Sequence, residues 1–391
     1  MGHVSSAAVS WRPVSAPETI SLARGAPSID IVATDELRAS AQRAFERDPT
    51  GAFSYGTSAG YGPLVDWIAA RHGAEADQVI ATNGSMQADA FLFGLLVRPG
   101  DVVVIEAPTY DRTLLALRDL GAELLAIPLE SDGLDVDALE EALEAGARPR
   151  LAHVIPNFHN PAGATLSLAK REHLVALAQR YEFTLFEDDP YVELRFEGEA
   201  QPTMLSMDQA GKVVYASSFS KTVCPGIRVG YLVGPAETIA ATRRLATGTY
   251  ISPSMVSQAI VAEFCASGAI GRSIETVKAA LRQRRDVLCA ALERELPGAR
   301  FVVPEGGYFL WVELPEHGPE VDRVEELARE RGVAFVKGSD FLIEGGEHAL
   351  RIAYSGVPAD HIEEAVTRLA GAWRDAAAEA GSPAGSGRGG C

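Results

Sequence analysis

Between residues 79 and 235 short apolar runs alternate with stretches of helical character, and this alternation constrains the fold more than any other feature. The runs are QVIAT (78–82), DVVVIEA (101–107), ELLAIPL (123–129), LAHVIP (151–156), FTLFED (183–188), KVVYAS (212–217) and RVGYLVG (228–234). Continuous Val/Ile/Leu runs of this length suit strands buried on both faces. Helical stretches fall between several of them, near 86–97, 111–120, 135–145 and 167–181. The pattern predicts an α/β fold with a mostly parallel, seven-stranded sheet. Open parallel sheets bind ligands beyond the carboxyl ends of their strands, so chemistry is expected just after these runs.

After about residue 270 the pattern changes. SIETVKAALRQRRDVLCAALEREL (273–296) reads as one long helix with Ile274, Val277, Leu281, Leu288 and Leu292 near one face. Strand signals follow at 300–314, 333–337 and 349–354, with helices near 321–331 and 358–374. A chain of 391 residues exceeds what one core usually serves. The expected division is a large domain over 46–269 and a smaller α+β domain from 1–45 and 270–376. The segment 377–391 is small and polar and is expected to be disordered.

The net charge of −18 repels nucleic acid phosphates, which argues against a DNA- or RNA-binding role. Cys224, Cys265, Cys289 and Cys391 show neither CxxC nor metal-like spacing, so no metal site is expected. Free cysteines suit a reducing cytoplasm. MGHVSSAAVSWRP has no basic region ahead of an apolar core, and no apolar run reaches the roughly 18 residues of a membrane span. A soluble cytoplasmic protein is the expectation.

Unusual residues gather at the predicted strand ends. SSFSKTVCPGIRVG (217–230) sets Lys221, one of five lysines in the chain, among hydroxyls and glycine. A lysine there can form an imine with an aldehyde cofactor, while Ser218, Ser220 and Arg228 can bind a phosphate. Taken alone, it reads as a solvated loop lysine. In TNGSMQAD (82–89), Gly84 permits a tight turn and the amides of Ser85 and Met86 open a helix, a ready anion site or simply a capped helix start. FEDDPYVELRF (186–196) carries Asp188 three residues before Tyr191. A buried carboxylate can hold a pyridine nitrogen protonated while a tyrosine hydroxyl donates to a ring phenolate. PNFHNPAG (156–163) brings Asn160 within a Pro/Asn/Gly turn, and EAPTY (106–110) puts Tyr110 where an aromatic can stack on a flat ring. ALRIAYSG (349–356) places Arg351 in an apolar strand, where it needs either a substrate carboxylate or an internal acidic partner.

In this order the segments resemble the class I and II aminotransferases of pyridoxal phosphate (PLP) fold type I, most closely the 2-aminoadipate, kynurenine and aromatic aminotransferase group. The resemblance covers about residues 20–375. It implies PLP held by Lys221 as a Schiff base, Asp188 on the pyridine nitrogen, and Tyr191 and Asn160 on the phenolate oxygen. It makes Tyr110 the stacking ring and Ser85, Met86, Ser218, Ser220 and Arg228 the phosphate cup. Arg351 matches the arginine for the substrate α-carboxylate, and Asn160 and Gly25 line the substrate pocket. Tyr55 matches a tyrosine that reaches the neighbouring subunit's phosphate, which implies a homodimer with shared sites. Two positions depart from the pattern: Met86 stands where a polar residue is common, and Ala162 replaces the threonine of the usual NPTG.

The implied reaction moves an amino group from an L-amino acid to a 2-oxo acid by a ping-pong mechanism. Elimination, cyclisation or annulation would use the same apparatus. A transcription regulator with an aminotransferase-like effector domain would need a basic DNA-binding segment ahead of SLARGAPS, which is not expected here. A nicotinamide dehydrogenase is disfavoured because GTSAGYG (56–62) lacks the GxGxxG spacing.

Overall fold

The structure is a computed structural model that describes residues 19–381. Its strands are β1 (Ile20–Ser21), β2 (Val79–Thr82), β3 (Val102–Ala107), β4 (Glu123–Glu130), β5 (Gly133–Leu134), β6 (Pro149–Val154) and β7 (Thr184–Asp188). They continue with β8 (Val213–Ser218), β9 (Gly230–Val233), β10 (Phe309–Glu313), β11 (Val333–Ala334), β12 (Val336–Lys337) and β13 (Ala349–Ala353). The helices begin with α1 (Thr34–Arg47), α2 (Pro49–Phe53), α3 (Gly62–His72), α4 (Ser85–Leu96), α5 (Asp111–Asp119), α6 (Val136–Glu144) and α7 (Leu168–Tyr181). They end with α8 (Met204–Met207), α9 (Ala236–Tyr250), α10 (Met255–Ala266), α11 (Ala269–Glu295), α12 (Val321–Glu330) and α13 (Ala359–Gly381).

The main sheet has the order β2-β9-β8-β7-β6-β3-β4-β5. The mostly parallel α/β sheet expected from the runs is present. Seven strands match them, and the eighth, β5, is a two-residue antiparallel return on β4. It was missed because two residues leave no periodicity to read. Strand β9 runs antiparallel to both β2 and β8. The carboxyl ends of the other long strands therefore share an edge with the amino end of β9. That edge receives Gly84, Tyr110, Asn160, Asp188, Lys221 and Arg228 from five separate segments, Lys221 and Arg228 sharing the connection between β8 and β9.

Alternation along the strands feeds two cores. Val103, Ile105, Phe186 and Val214 pack with Phe93 and Leu92 of α4 on one face. Val104, Leu185, Val213 and Ala152 pack with Leu139 and Leu174 of α6 and α7 on the other. Both faces are dry, which is why these runs carry no polar alternation.

A second body forms from the antiparallel sheet β10-β13-β12 and helices α11, α12 and α13. β1 pairs in parallel with β11, which ties Ile20–Ser21 to the C-terminal part. α1, in contrast, turns its Leu37, Ala44 and Phe45 into the core of Leu64, Ile68, Ala259 and Phe264. The described part of the 1–45 segment expected in the small domain, residues 19–45, is thus split between the two bodies. The available signal was its place ahead of the sheet pattern, and that does not show which body Thr34–Arg47 covers.

The expected disordered tail also needs correction. α13 continues through Gly381, so residues 377–381 are helical. Alanine and glutamate favour helix, and Glu379 accepts from both Arg323 Nε at 2.8 Å and Nη2 at 3.0 Å. The rest of that tail, and residues 1–18, lie outside the described residues. Among the described residues no helix is long and apolar enough to cross a membrane.

Candidate active site

At the shared edge of the sheet a cavity of about 270 Å³ opens between the two bodies. Gly25, Ser85, Met86, Tyr110, Asn160, Asp188, Tyr191, Ser218, Ser220, Lys221 and Arg228 all line it. Arg351 joins this wall through Asn160. Tyr55 does not line it. That side chain is 86% exposed, on the loop after α2.

At one end, Gly84 begins α4 with φ +86° and offers no side-chain cap, which leaves the first N–H groups of the helix for an anion. Ser218 Oγ and Ser220 Oγ lie 3.0 Å apart, and Arg228 Nη1 donates to Ser220 Oγ at 3.2 Å. Two glycines make the cup this tight. A Cβ on Gly84 would stand 2.2 Å from Arg228 Nη2, and one on Gly230 would stand 2.5 Å from the Ser85 nitrogen. Arg228 itself holds a left-handed backbone at φ +50°, uncommon for a side-chain-bearing residue and favoured at functional sites.

In the middle, Lys221 Nζ donates to the Gly25 carbonyl at 2.7 Å and lies 5.4 Å and 5.2 Å from the ring centres of Tyr191 and Tyr308. The amine is pulled down to about 8, first by burial and then by the charges of Arg351 and Arg228, with Asp188 opposing. Gly25 has its own steric reason, because a Cβ there would meet the Phe309 ring at 2.4 Å. Tyr110 Oη reaches Met86 Sδ at 3.7 Å, and burial pushes its hydroxyl up to about 12. Tyr191 is buried edge-on to Phe309, with ring centres 5.6 Å apart. Burial raises its hydroxyl well above the usual phenol range, so it stays a neutral donor.

Asp188, at the end of β7, is buried, and its Oδ1 has no hydrogen-bond partner among the described residues. His153 Nε2 on β6 lies 3.6 Å from Asp188 Oδ2. Arg351 donates through Nη1 to Asn160 Oδ1 at 3.0 Å and through Nη2 to the Ala23 carbonyl at 2.5 Å. Its guanidinium sits between Phe309 and Phe341, 4.6 Å and 4.9 Å from their ring centres. Its hydrogen-bond partners are that amide and that carbonyl, no ion pair to a carboxylate forms at it among the described residues, and its Nε is buried without a partner. The internal salt bridge that the sequence allowed is absent, so the arginine still needs an anion.

Sequence reasoning missed Asp89 and His153 at this site, and the two phenylalanines around Arg351. A histidine inside LAHVIP and a carboxylate inside SMQADAFLFGLL break apolar runs, and that was the available signal. It also missed His159, whose Nε2 meets Glu106 Oε2 at 3.0 Å and whose Nδ1 accepts from the Ala162 amide at 3.3 Å. That contact anchors the turn at the position where the usual threonine is replaced.

The cavity fits pyridoxal phosphate in its donors: an anion cup, an aromatic wall, a lysine, and a buried carboxylate with an open oxygen. A family model described as aminotransferase class I and II matches residues 17–369. The chain belongs to this family. It is 34% identical to the 2-aminoadipate transaminase of Thermus thermophilus over 90% of this chain and 89% of that protein. It is 32% identical to aromatic-amino-acid aminotransferase 1 of Thermococcus litoralis over 91% of this chain and 88% of that protein. The solved α-aminoadipate aminotransferase of Thermus thermophilus, complexed with N-(5'-phosphopyridoxyl)-L-leucine, superposes with a TM-score of 0.88 at 32% identity. That match covers 92% of this chain and 93% of the other. The α/β fold is accordingly PLP fold type I, and the protein is a PLP-dependent aminotransferase.

Proposed function

We propose that the cavity runs amino-group transfer between an L-amino acid and a 2-oxo acid, with Lys221, Asp188 and Tyr191 as its catalytic residues. One observation supports this most strongly: a single cavity wall gathers the residues that six separate motifs suggested. When bound, pyridoxal phosphate supplies an aldehyde that captures amines and a ring that takes up the electrons left when the α-proton departs.

The chain's own residues divide the rest of the work. Ser218, Ser220, Arg228 and the amides of Ser85 and Met86 hold the phosphate. Tyr110 covers one ring face, and Asp188 holds the pyridine nitrogen protonated. Tyr191 and Asn160 orient the phenolate oxygen. Lys221 would hold the cofactor through Nζ, and its amine, when free, would move the α-proton as general base and then acid. An amine with a pKa of about 8 suits both duties near neutral pH. Arg351 grips the α-carboxylate as a fork, with Asn160 and Gly25 beside it. The same groups serve both half-reactions, which gives ping-pong kinetics.

The exposed Tyr55 supports a homodimer in which it reaches the partner's phosphate, and exposed Phe53 beside it supports a buried contact there. The cytoplasm is the proposed location, in keeping with three cysteines that are free in the structure. The test is to offer the enzyme single L-amino acids, aromatic, aliphatic and 2-aminoadipate, each with a 2-oxo acid acceptor. Formation of the matching 2-oxo acid supports the reading. Consumption of amino acid with no amino group passed to the acceptor would replace it with elimination or cyclisation.

A further inference from the structure

Outside the cavity lining, a chain of buried polar groups joins the segments that carry Asn160, Asp188 and Lys221, and the reaction just described uses none of them. Asn157, three residues before Asn160, is only 3% exposed. Its side-chain amide is engaged at both ends. Nδ2 donates to Asp189 Oδ2 at 2.8 Å, and Oδ1 accepts from Arg171 Nη2 at 2.9 Å. Turned over, the amide would set its two N–H donors against the guanidinium, so its orientation is fixed. Asp189 follows Asp188 directly and is tied to β8. Its amide donates to the Ala216 carbonyl at 2.9 Å, and its carbonyl accepts from Ser217 Oγ at 2.8 Å. Arg171, on α7 and fully buried, also donates to the carbonyls of Pro156 at 3.1 Å and Leu166 at 2.9 Å, which bracket the turn holding Asn160.

Between Asn157 and Asn160 the backbone of Phe158 is left-handed, at φ +49°, a region that side-chain-bearing residues seldom adopt. Such a conformation persists only where its surroundings over-determine it. On one side the Phe158 side chain is buried against two glycines, where a Cβ on Gly306 or Gly307 would stand 2.4 Å or 2.3 Å from it. On the other side stands the amide of Asn157. The turn lets Asn157 face Arg171 while Asn160 lines the cavity and accepts from Arg351. Buried charged groups are seldom a gain in stability over apolar ones, and fixing a register is their best-attested use.

We propose that Asn157 is a positioning residue: by bridging Arg171 and Asp189 it fixes the left-handed turn at Phe158, and with it the reach of Asn160 into the cavity and its spacing from Asp188. It acts through Asn160 and touches neither substrate nor cofactor. The inference rests on the reading of this cavity as the cofactor's.

The test follows the pH midpoint at which the visible absorption of the bound cofactor changes in holoenzyme. A donor beside the cofactor's phenolate oxygen stabilises the form left when a proton departs, and so lowers that midpoint. Asn160→Ala should raise it by about one unit, the tenfold expected for losing a hydrogen bond to a charged group. Asn157→Ala and the near-isosteric Asn157→Leu should each raise it by about half a unit, a partial loss of the same contact. The double variant Asn157→Ala/Asn160→Ala should match Asn160→Ala alone, because nothing remains to be positioned. Thermal melting of the same proteins separates this from a role in the fold. If Asn157 only supported the structure, its variants would melt lower yet keep the native midpoint, and the proposal would be overturned. Shifts that simply add in the double variant would overturn it too. Failure of both Asn157 variants to fold would likewise count against it, since the residue would then serve the fold. If native enzyme shows no absorption band of bound cofactor, the reading of the cavity falls instead.

Discussion

At the phosphate end of the cavity the donors hold one another: Ser218 meets Ser220, Ser220 meets Arg228, and two glycines press the backbone against them. At the opposite end Arg351 sits between two aromatic rings, has no acidic ion-pair partner among the described residues, and leaves Nε unsatisfied. The first arrangement is complete before any ligand arrives and suits a resident group. The second lacks a carboxylate and suits a visitor that comes and goes with each turnover. Lys221 stands between them, its amine pulled down first by burial and then by the two arginines that define the ends.

This contrast can be broken most severely at its centre. On the proposed roles, Lys221→Ala removes both the covalent anchor and the proton shuttle. Amino-group transfer should fall by at least about 10³-fold while the fold survives, read from single-turnover rates and circular dichroism. Arg351→Lys keeps the charge but loses the fork. It should cut kcat/KM for amino acids roughly 10- to 100-fold with cofactor affinity unchanged. Arg228→Gln should do the reverse, weakening the cofactor about tenfold while KM for amino acid moves little once the cofactor is saturating. If the two arginine variants shifted both constants alike, the division of the cavity into two ends would be lost. The smallest effect is on pH. Apoenzyme should capture cofactor more slowly as pH falls below about 8, because the protonated Lys221 amine is not a nucleophile. Stopped-flow absorbance should show roughly a fivefold fall between pH 8 and pH 7, with a flat rate pointing to an amine already free at neutral pH.

The large sheet and most cavity residues were legible in the sequence because they follow directly from strand ends. Continuous apolar runs marked the strands, and the residue after each run marked the edge. Lys221, Asp188 and Ser85 all stand at or just beyond such runs, but each had a bland reading alone, and the ordered set of motifs with its family resemblance gave them roles. Helices α1, α2 and α3 were not legible, since short segments such as Pro49–Phe53 carry no usable period and are held by tertiary packing. The state of Arg351 was not legible either. Whether an acid meets it depends on which chains cross β13, and sequence spacing is silent on that. Asp89 escaped for the same reason: a carboxylate in a helix is ordinarily solvated, and only the fold shows that this one is buried in the wall of the cavity that Asp188 also lines.

The central claim is that Lys221 holds the cofactor covalently, and reductive trapping tests it most directly. Native enzyme incubated with pyridoxal phosphate and borohydride, then digested, should carry one phosphopyridoxyl group on the peptide containing Lys221, and Lys221→Ala should carry none. A label on another lysine, or none on the native enzyme, would contradict the account.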